Sequence, residues 1–217
     1  FVGGRRVTDG ETLEIAKMAI TGKVSVDLCA IFVSAGLPAL GLNGVSAGLI
    51  GARKRPPRLI TGGGDQPVEF GFVGDIEDVK SDLLLSLVGQ GVVPVLACLA
   101  SDRKGQVLNI NADVVATDVA VALGAECLIA ISGVTGVLTD PSDPESRLHQ
   151  LTRRKALQMI AEGVIGGGMV AKVDEALRGL GLGIPRVVVT GPVASGVLEA
   201  SVGPGRTRGT EILDEGE

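Results

Sequence analysis

Asn109-Ile110-Asn111-Ala112-Asp113 sets three polar side chains within five residues, where an apolar segment meets the start of a helical pattern. Asn and Asp are ordinary helix caps, and one cap would use only one of them. Amides and the dipole at a helix N-terminus favour an anionic ligand, and Asn side chains there can fix its carboxylate. A second group, Gly166-Gly167-Gly168-Met169-Val170-Ala171-Lys172, is a glycine turn that opens a helix and sets a lysine one turn in. Most helical lysines are solvated surface charges. A glycine turn of this kind exposes backbone N–H groups to phosphate, however, and a lysine at this distance reaches the same anion. Neither a G-x-x-x-x-G-K-[ST] phosphate loop nor a G-x-G-x-x-G dinucleotide fingerprint occurs in the chain.

In a third segment, Ser132-Gly133-Val134-Thr135-Gly136-Val137-Leu138, a Val/Ile/Leu run leaves into a glycine-punctuated turn. Ligands of open α/β sheets sit outside the carboxyl ends of strands, so this turn is a candidate wall of a nucleotide pocket as well as an ordinary strand-to-loop turn. The fourth is Gly3-Gly4-Arg5-Arg6-Val7-Thr8, whose arginines are either surface charge or a fork onto a carboxylate. Other chemistries lack their residues. His149 is the only histidine and lies in a polar stretch, which leaves no base for a Ser/His/Asp or Cys/His relay and no His cluster for a metal. The Gly62-Gly63-Gly64 run stands among prolines with neither a strand before it nor a helix after it, and reads as a flexible loop.

The elements that must hold these groups follow from the apolar pattern. Helical stretches alternate with short Val/Ile/Leu runs, the signature of crossover units, so the expected class is α/β with an open, mainly parallel sheet between helices. Thr8 and Glu11 form a T-x-x-E capping box for a helix that ends near Gly22, and a second helix spans 26–35. Residues 40–44 and 49–54 read as a hairpin, 55–66 as a mobile loop, 70–79 as a strand, 81–88 as a helix and 92–99 as a fully buried strand. Helices at 112–123, 153–162, 169–180 and 195–201 and strands at 127–132, 186–190 and near Thr210 complete the reading. A soft boundary falls near 100–105.

Composition bounds the rest. The chain has 217 residues, 45% hydrophobic and 21% charged, which is enough apolar surface for one large domain or two small lobes and too much for disorder. With 33 glycines, four Phe and neither Trp nor Tyr, the core must be aliphatic. A net charge of −5 without a basic run lacks the footprint of a phosphate-backbone binder, so no nucleic-acid partner is expected. Uncharged stretches at 28–52 and 83–101 are broken by Gly, Pro and Asn, so no membrane span is expected either. Cys29, Cys98 and Cys127 fit no zinc spacing and read as buried thiols in a reducing cytoplasm. The start at Phe1, without a signal-peptide pattern, hints at a chain cut at its front.

Taken in order, these segments resemble the amino acid kinase family, most closely its acetylglutamate kinase branch. The resemblance is carried by Gly4-Arg5-Arg6-Val7-Thr8, Gly71-Phe72-Val73-Gly74-Asp75, N-I-N-A-D at 109–113, S-G-V-T-G-V-L at 132–138, G-G-G-M-V-A-K at 166–172 and Gly209-Thr210, and it covers nearly the whole chain. It implies transfer of the ATP γ-phosphoryl to the side-chain carboxylate of N-acetyl-L-glutamate, with Mg²⁺ on the nucleotide, in a cytoplasmic homo-oligomer. It further implies that Arg6 and Asn109 hold the carboxylate of the acceptor and that Asn111 lines that pocket. Asp113 would organise the catalytic lysines, and Lys172 would stabilise the transferring phosphoryl. Ser132, Gly133, Gly136, Gly168 and Met169 would border the nucleotide. Residues 1–100 would form the acceptor-binding and dimerisation lobe and 101–217 the nucleotide-binding lobe.

Three departures accompany the resemblance. The family opens with a Lys-bearing strand and an H-G-G-G strand end, and this chain starts after both, so by itself it is expected to show no phosphoryl transfer. Gly133 stands where the family usually has an acidic residue, and Gly44-Val45-Ser46-Ala47-Gly48 stands where it often has Gly-Lys-Asp-Gly. Alternatives in view are a kinase of carrier-bound aminoadipate, another carboxylate or carbamate kinase, and a non-catalytic homologue that only binds or oligomerises.

Overall fold

The computed structural model describes residues 7–59, 66–191 and 208–214. The chain divides into two compact units, residues 1–115 and 116–217, with the division inside a helix. Arg6, residues 60–65 of the loop expected at 55–66 and the helix expected at 195–201 lie outside the described residues.

The front unit opens with helix α1 (Gly10–Ala16), continues without a break through a π-helical segment (Lys17–Val24) and ends as α2 (Ser25–Ser34). The two separate helices expected from sequence are therefore one helical run. Leu13, Lys17, Thr21, Ser25 and Cys29 recur at intervals of four along it, and all are buried or half-buried. In an uninterrupted α-helix each such step turns the side chain roughly 40° past a full revolution, so the stripe would wind away from the interior. The i→i+5 bonding of the π segment turns each residue through less, and Leu13 and Ser25 both stay inside. The capping box is corrected too. Asp9 is the cap, its Oδ1 accepting the Thr12 amide at 2.8 Å, while Thr8 is buried in a strand-like bridge to Gly71.

Strands β1 (Ala39–Asn43) and β4 (Val93–Ala97) pair in parallel, with α2 packed on both. The second front sheet joins β2 (Ile50–Lys54), β3 (Gly74–Val79), β5 (Leu99–Ser101) and β6 (Val107–Asn109) in the order β3-β2-β5-β6. The expected hairpin of 40–44 with 49–54 does not form, because β1 and β2 take partners remote in sequence and enter different sheets. Between them a 3-10 turn (Ser46–Gly48) redirects the chain, and the Gly44 amide donates to the Leu99 carbonyl at 2.7 Å. Nor is 92–99 one fully buried strand. It breaks at Cys98 into β4 and β5, and most of β4 is only half-buried. Helix α3 (Asp82–Gly89) precedes β4. Leu49, Ile50, Phe70, Leu99, Ala100 and Leu108 form the centre of this unit's core, so one of the four Phe joins the aliphatic side chains there.

Helix α4 (Ala112–Leu123) leads into the back unit, whose strands are β7 (Leu128–Ile131), β8 (Gln150–Thr152), β9 (Val187–Thr190) and β10 (Thr210–Leu213), in the order β7-β9-β10-β8. The β7–β9 and β8–β10 pairs are parallel and β9–β10 is antiparallel. All four residues of β9 are buried, as its continuous Val run demands of a central strand. β7 lies at the edge of the order and its side chains are half-buried or exposed, which corrects the expectation of a buried strand there. Helices α5 (Arg153–Ala161) and α6 (Gly168–Gly181) pack on this sheet around Leu151, Met159, Val173, Leu177, Val187 and Ile212. The fold is α/β with mixed sheets: four of the seven strand pairings among the described residues are parallel.

The cysteines are free thiols and half-buried rather than buried, and burial pushes Cys98 and Cys127 above the ordinary thiol range. No helix among the described residues is long and apolar enough to cross a membrane.

Candidate active site

In the front unit three segments far apart in sequence converge on Asn109. This residue ends β6, its amide donates to the Phe72 carbonyl at 2.8 Å, and its Nδ2 donates to the Thr8 hydroxyl at 3.1 Å. Thr8 is itself clamped by the same turn: its amide donates to the Phe70 carbonyl at 3.0 Å, and its carbonyl accepts the Phe72 amide at 2.7 Å. Gly71 adopts φ 70°, and a β-carbon there would collide with the Thr8 carbonyl, so only glycine fits. The Arg-bearing front segment, Gly71-Phe72-Val73 and the N-I-N-A-D segment thus share one locus at the Thr8 end of the first of them.

Asn111 and Asp113 stand just beyond, at the start of α4. The Asn111 Oδ1 accepts the amides of Asp113 at 2.8 Å and Val114 at 3.4 Å, so its oxygen serves as the helix cap. Asp113, half-buried in the first turn, places a carboxylate at the positive end of the helix. The Gly44–Gly48 stretch is a tight turn held by Asn43 and Ser46, whose Oδ1 and Oγ accept the Val45 and Asn43 amides at 3.0 and 3.2 Å. Ala47 within it sits at φ 52°, a left-handed conformation unusual for a residue with a β-carbon.

In the back unit β7 and β9 run parallel, and their carboxyl ends, Ile131 and Thr190, are register partners. The Ser132 amide donates to the Thr190 carbonyl at 2.7 Å, and the chain then turns through Gly133 to Gly136. A β-carbon on Gly191 would stand 2.7 Å from the Thr135 Cα and the Val134 carbonyl oxygen, so the chain leaving β9 lies directly against this turn. Gly136 is buried, has φ 153°, and would bring a β-carbon 2.6 Å from the Thr210 hydroxyl and 2.9 Å from the Arg147 Cδ. Gly133, by contrast, is exposed, with nothing within 4 Å of a β-carbon. Ser132 caps the turn locally, its Oγ accepting the Val134 amide at 3.2 Å.

Gly179, near the end of α6, packs on Ile184 and on Val187 at the start of β9. The helix therefore returns along the sheet, and its glycine-flanked N-terminus emerges on the side where β7 and β9 end. Gly167 caps it at φ 55°, the Met169 amide reaches the Gly166 carbonyl at 3.2 Å, and Gly166, Gly167 and Gly168 are all exposed. Met169 packs against the core, and half-buried Lys172 follows one turn in. Ser132, Gly133 and Gly136 thus follow the carboxyl end of β7, and Gly168, Met169 and Lys172 lie in the first turns of α6. A glycine turn at the end of a parallel strand and a glycine-flanked helix N-terminus with a lysine one turn in are each of a kind suited to phosphate.

Gly191 and Arg147, which contact the 132–137 turn, escaped the sequence reading, and Thr210 entered it only through the closing Gly209-Thr210 pair, with no role. Among the described residues no group of three or more His, Cys, Asp or Glu could hold a metal ion.

Residues 2–191 match the amino acid kinase family. Acetylglutamate kinase of Anaeromyxobacter sp. (strain K) is 42% identical over 215 residues, 99% of this chain and 79% of that protein. Acetylglutamate kinase of Sorangium cellulosum (strain So ce56) is 43% identical over 212 residues, 98% of this chain and 75% of that protein. In fold, the chain resembles N-acetylglutamate synthase from Neisseria gonorrhoeae, with a TM-score of 0.80 at 23% identity over 100% of this chain and 47% of that one. With a match across most of its length and relatives this similar, the chain belongs to the amino acid kinase family.

Proposed function

We propose that this chain is the greater part of an acetylglutamate kinase, which by itself shows no phosphoryl transfer and, completed, transfers the γ-phosphoryl of ATP to the side-chain carboxylate of N-acetyl-L-glutamate, giving an acyl phosphate, as a step of arginine biosynthesis. The observation that carries the reading is the similarity to acetylglutamate kinases over 99% of the chain. The placement of N-I-N-A-D and G-G-G-M-V-A-K at the N-termini of α4 and α6 supports it. The chemistry agrees with the residues present. A carboxylate acceptor with a pKa of about 4.3 is already ionised at neutral pH, so no general base is required and the lack of a catalytic histidine is no obstacle. What the reaction requires is alignment of two anions and neutralisation of spreading negative charge.

In this reading Arg6 and Asn109 hold the acceptor carboxylate and Asn111 contributes its Nδ2. Lys172 stabilises the transferring phosphoryl, with Asp113 organising the lysines. The 132–137 turn with Gly168 and Met169 borders the nucleotide, and Mg²⁺ arrives on the nucleotide phosphates, where it neutralises charge. The front part holds the acceptor and the self-association face, the back part the nucleotide. Exposed apolar side chains on α2, among them Val26, Ile31 and Val33, support a homo-oligomer, and we place the protein in the cytoplasm.

Hydroxylamine trapping of the acyl phosphate tests the activity, with the chain alone and with a family-like Lys- and H-G-G-G-bearing segment ahead of Phe1. The expected result is hydroxamate from N-acetylglutamate with the extended chain, in preference to aspartate, glutamate or carbamate. Equal or better use of another acceptor moves the assignment to a different carboxylate or carbamate kinase. No hydroxamate from any acceptor identifies a binding or oligomerising homologue.

A further inference from the structure

The Thr210 hydroxyl sits where the start of β10 meets two segments that lie 62 and 73 residues upstream. It donates to the Leu148 carbonyl at 2.6 Å and accepts the Val137 amide at 2.9 Å, and the residue is fully buried. The Leu148 amide donates to the Val137 carbonyl at 2.9 Å, so both backbone groups of Val137 are tied to this junction. Gly136 lies against the same hydroxyl, and Arg147, whose stem covers Gly136, donates to the Gly209 carbonyl. The far end of the turn is held by Ser132 on Thr190. Between these two anchors the turn is braced by the Ser132 Oγ on the Val134 amide and by Gly191 against Val134 and Thr135, and with no β-carbon at 136 the direction of the Gly136-Val137 backbone depends on the Thr210 end.

We propose that Thr210 is a positioning residue for nucleotide binding: its hydroxyl fixes the Gly136-Val137 backbone and thereby aims the 132–137 turn at the nucleotide. A valine at 210 keeps the shape and removes the hydroxyl, which leaves the Val137 amide without its partner and frees that end of the turn. A serine keeps the hydroxyl. The inference rests on the reading of this turn as a nucleotide wall, and the test separates the two.

Calorimetric titration with MgATP is run on the unaltered chain, Thr210→Val, Thr210→Ser and Ile212→Val. Ile212 lies on the same strand, is buried in the aliphatic core and has a side chain that can make no hydrogen bond, so Ile212→Val tests loss of packing with every hydrogen bond of the junction kept. The expected result is about tenfold weaker binding for Thr210→Val, affinity within about threefold of the unaltered chain for Thr210→Ser, and no change for Ile212→Val despite a lower melting temperature. Unchanged affinity in Thr210→Val, or a loss in Ile212→Val that follows its melting temperature, overturns the proposal. Absence of MgATP binding by the unaltered chain instead overturns the nucleotide reading itself, and the positioning role with it. Should Thr210→Val fail to fold, amide NMR of the unaltered chain decides: MgATP is expected to shift the Gly136 and Val137 resonances, and unshifted resonances overturn the proposal.

Discussion

Replacing Gly136 by alanine puts a β-carbon 2.6 Å from the Thr210 hydroxyl and 2.9 Å from the Arg147 side chain, in a buried turn whose φ is 153°. The backbone conformation costs an L-residue roughly 1–3 kcal/mol. Overpacking against close-packed neighbours costs about 1–3 kcal/mol, and displacement of Thr210 weakens a hydrogen bond worth about 0.5–1.5 kcal/mol. These contributions act on the same atoms and relax together, so they do not add in full, and we expect a net loss of about 3–4 kcal/mol. Gly133 is the internal control. Three residues earlier in the same turn, it is exposed with open space around its β-carbon position, so Gly133→Ala should stay within about 0.5 kcal/mol of the unaltered chain. Urea unfolding followed by circular dichroism reads both, with the slope m checked for constancy so that the midpoints report stability. A Gly136→Ala variant within about 1 kcal/mol of Gly133→Ala would refute the reasoning, because it would mean the anchor formed by Thr210 and Arg147 yields freely to a β-carbon.

In the chain with kinase activity, Lys172→Ala and Asp113→Asn should lower kcat and kcat/KM together by roughly 10² to 10³, as loss of charge stabilisation in the transition state does. In the same assay Arg6→Ala should mainly raise KM for acetylglutamate, with Arg6→Lys restoring it only in part because a point charge lacks the fork. Ala47→Gly should raise stability by up to about 1 kcal/mol, since glycine accepts the left-handed conformation that Ala47 holds under strain; a lower urea midpoint would show that the Gly44–Gly48 turn needs the methyl group. The Asp9 carboxyl is held below the usual range by the Thr12 amide and hydroxyl. A depressed folded-state pKa stabilises above the unfolded value of about 3.9 and loses that contribution as pH falls through the folded value. Asp9→Ala should therefore melt lower than the unaltered chain at neutral pH, with the gap narrowing in acid; a gap independent of pH would assign the cap to some other group.

Helices α4, α5 and α6 and strand β9 fall where the apolar period and the terminal signals place them, and the two segments read from their residue types as suited to an anion open α4 and α6. That information is local: a cap, a glycine turn and a 3.6-residue stripe are complete within a few neighbours. The same locality explains the failures. A Gly-rich break between two apolar runs reads as a hairpin, yet β1 pairs with β4 some 54 residues on, since strand pairing is chosen by burial across the whole sheet rather than by the turn between neighbours. Gly22 reads as a helix end, yet the chain continues through a π segment, because keeping Leu13 and Ser25 on one buried face outweighs the cost of irregular hydrogen bonding. Thr8 reads as a cap and is instead the acceptor for Asn109, a partner 101 residues away. Thr210 lies at the start of a plain strand and holds a turn 73 residues upstream. The sequence determined which segments could meet an anion and the family to which they belong. Only the tertiary structure decided which hydroxyls and glycines hold those segments in place, because a buried polar group is satisfied by whatever packing brings to it.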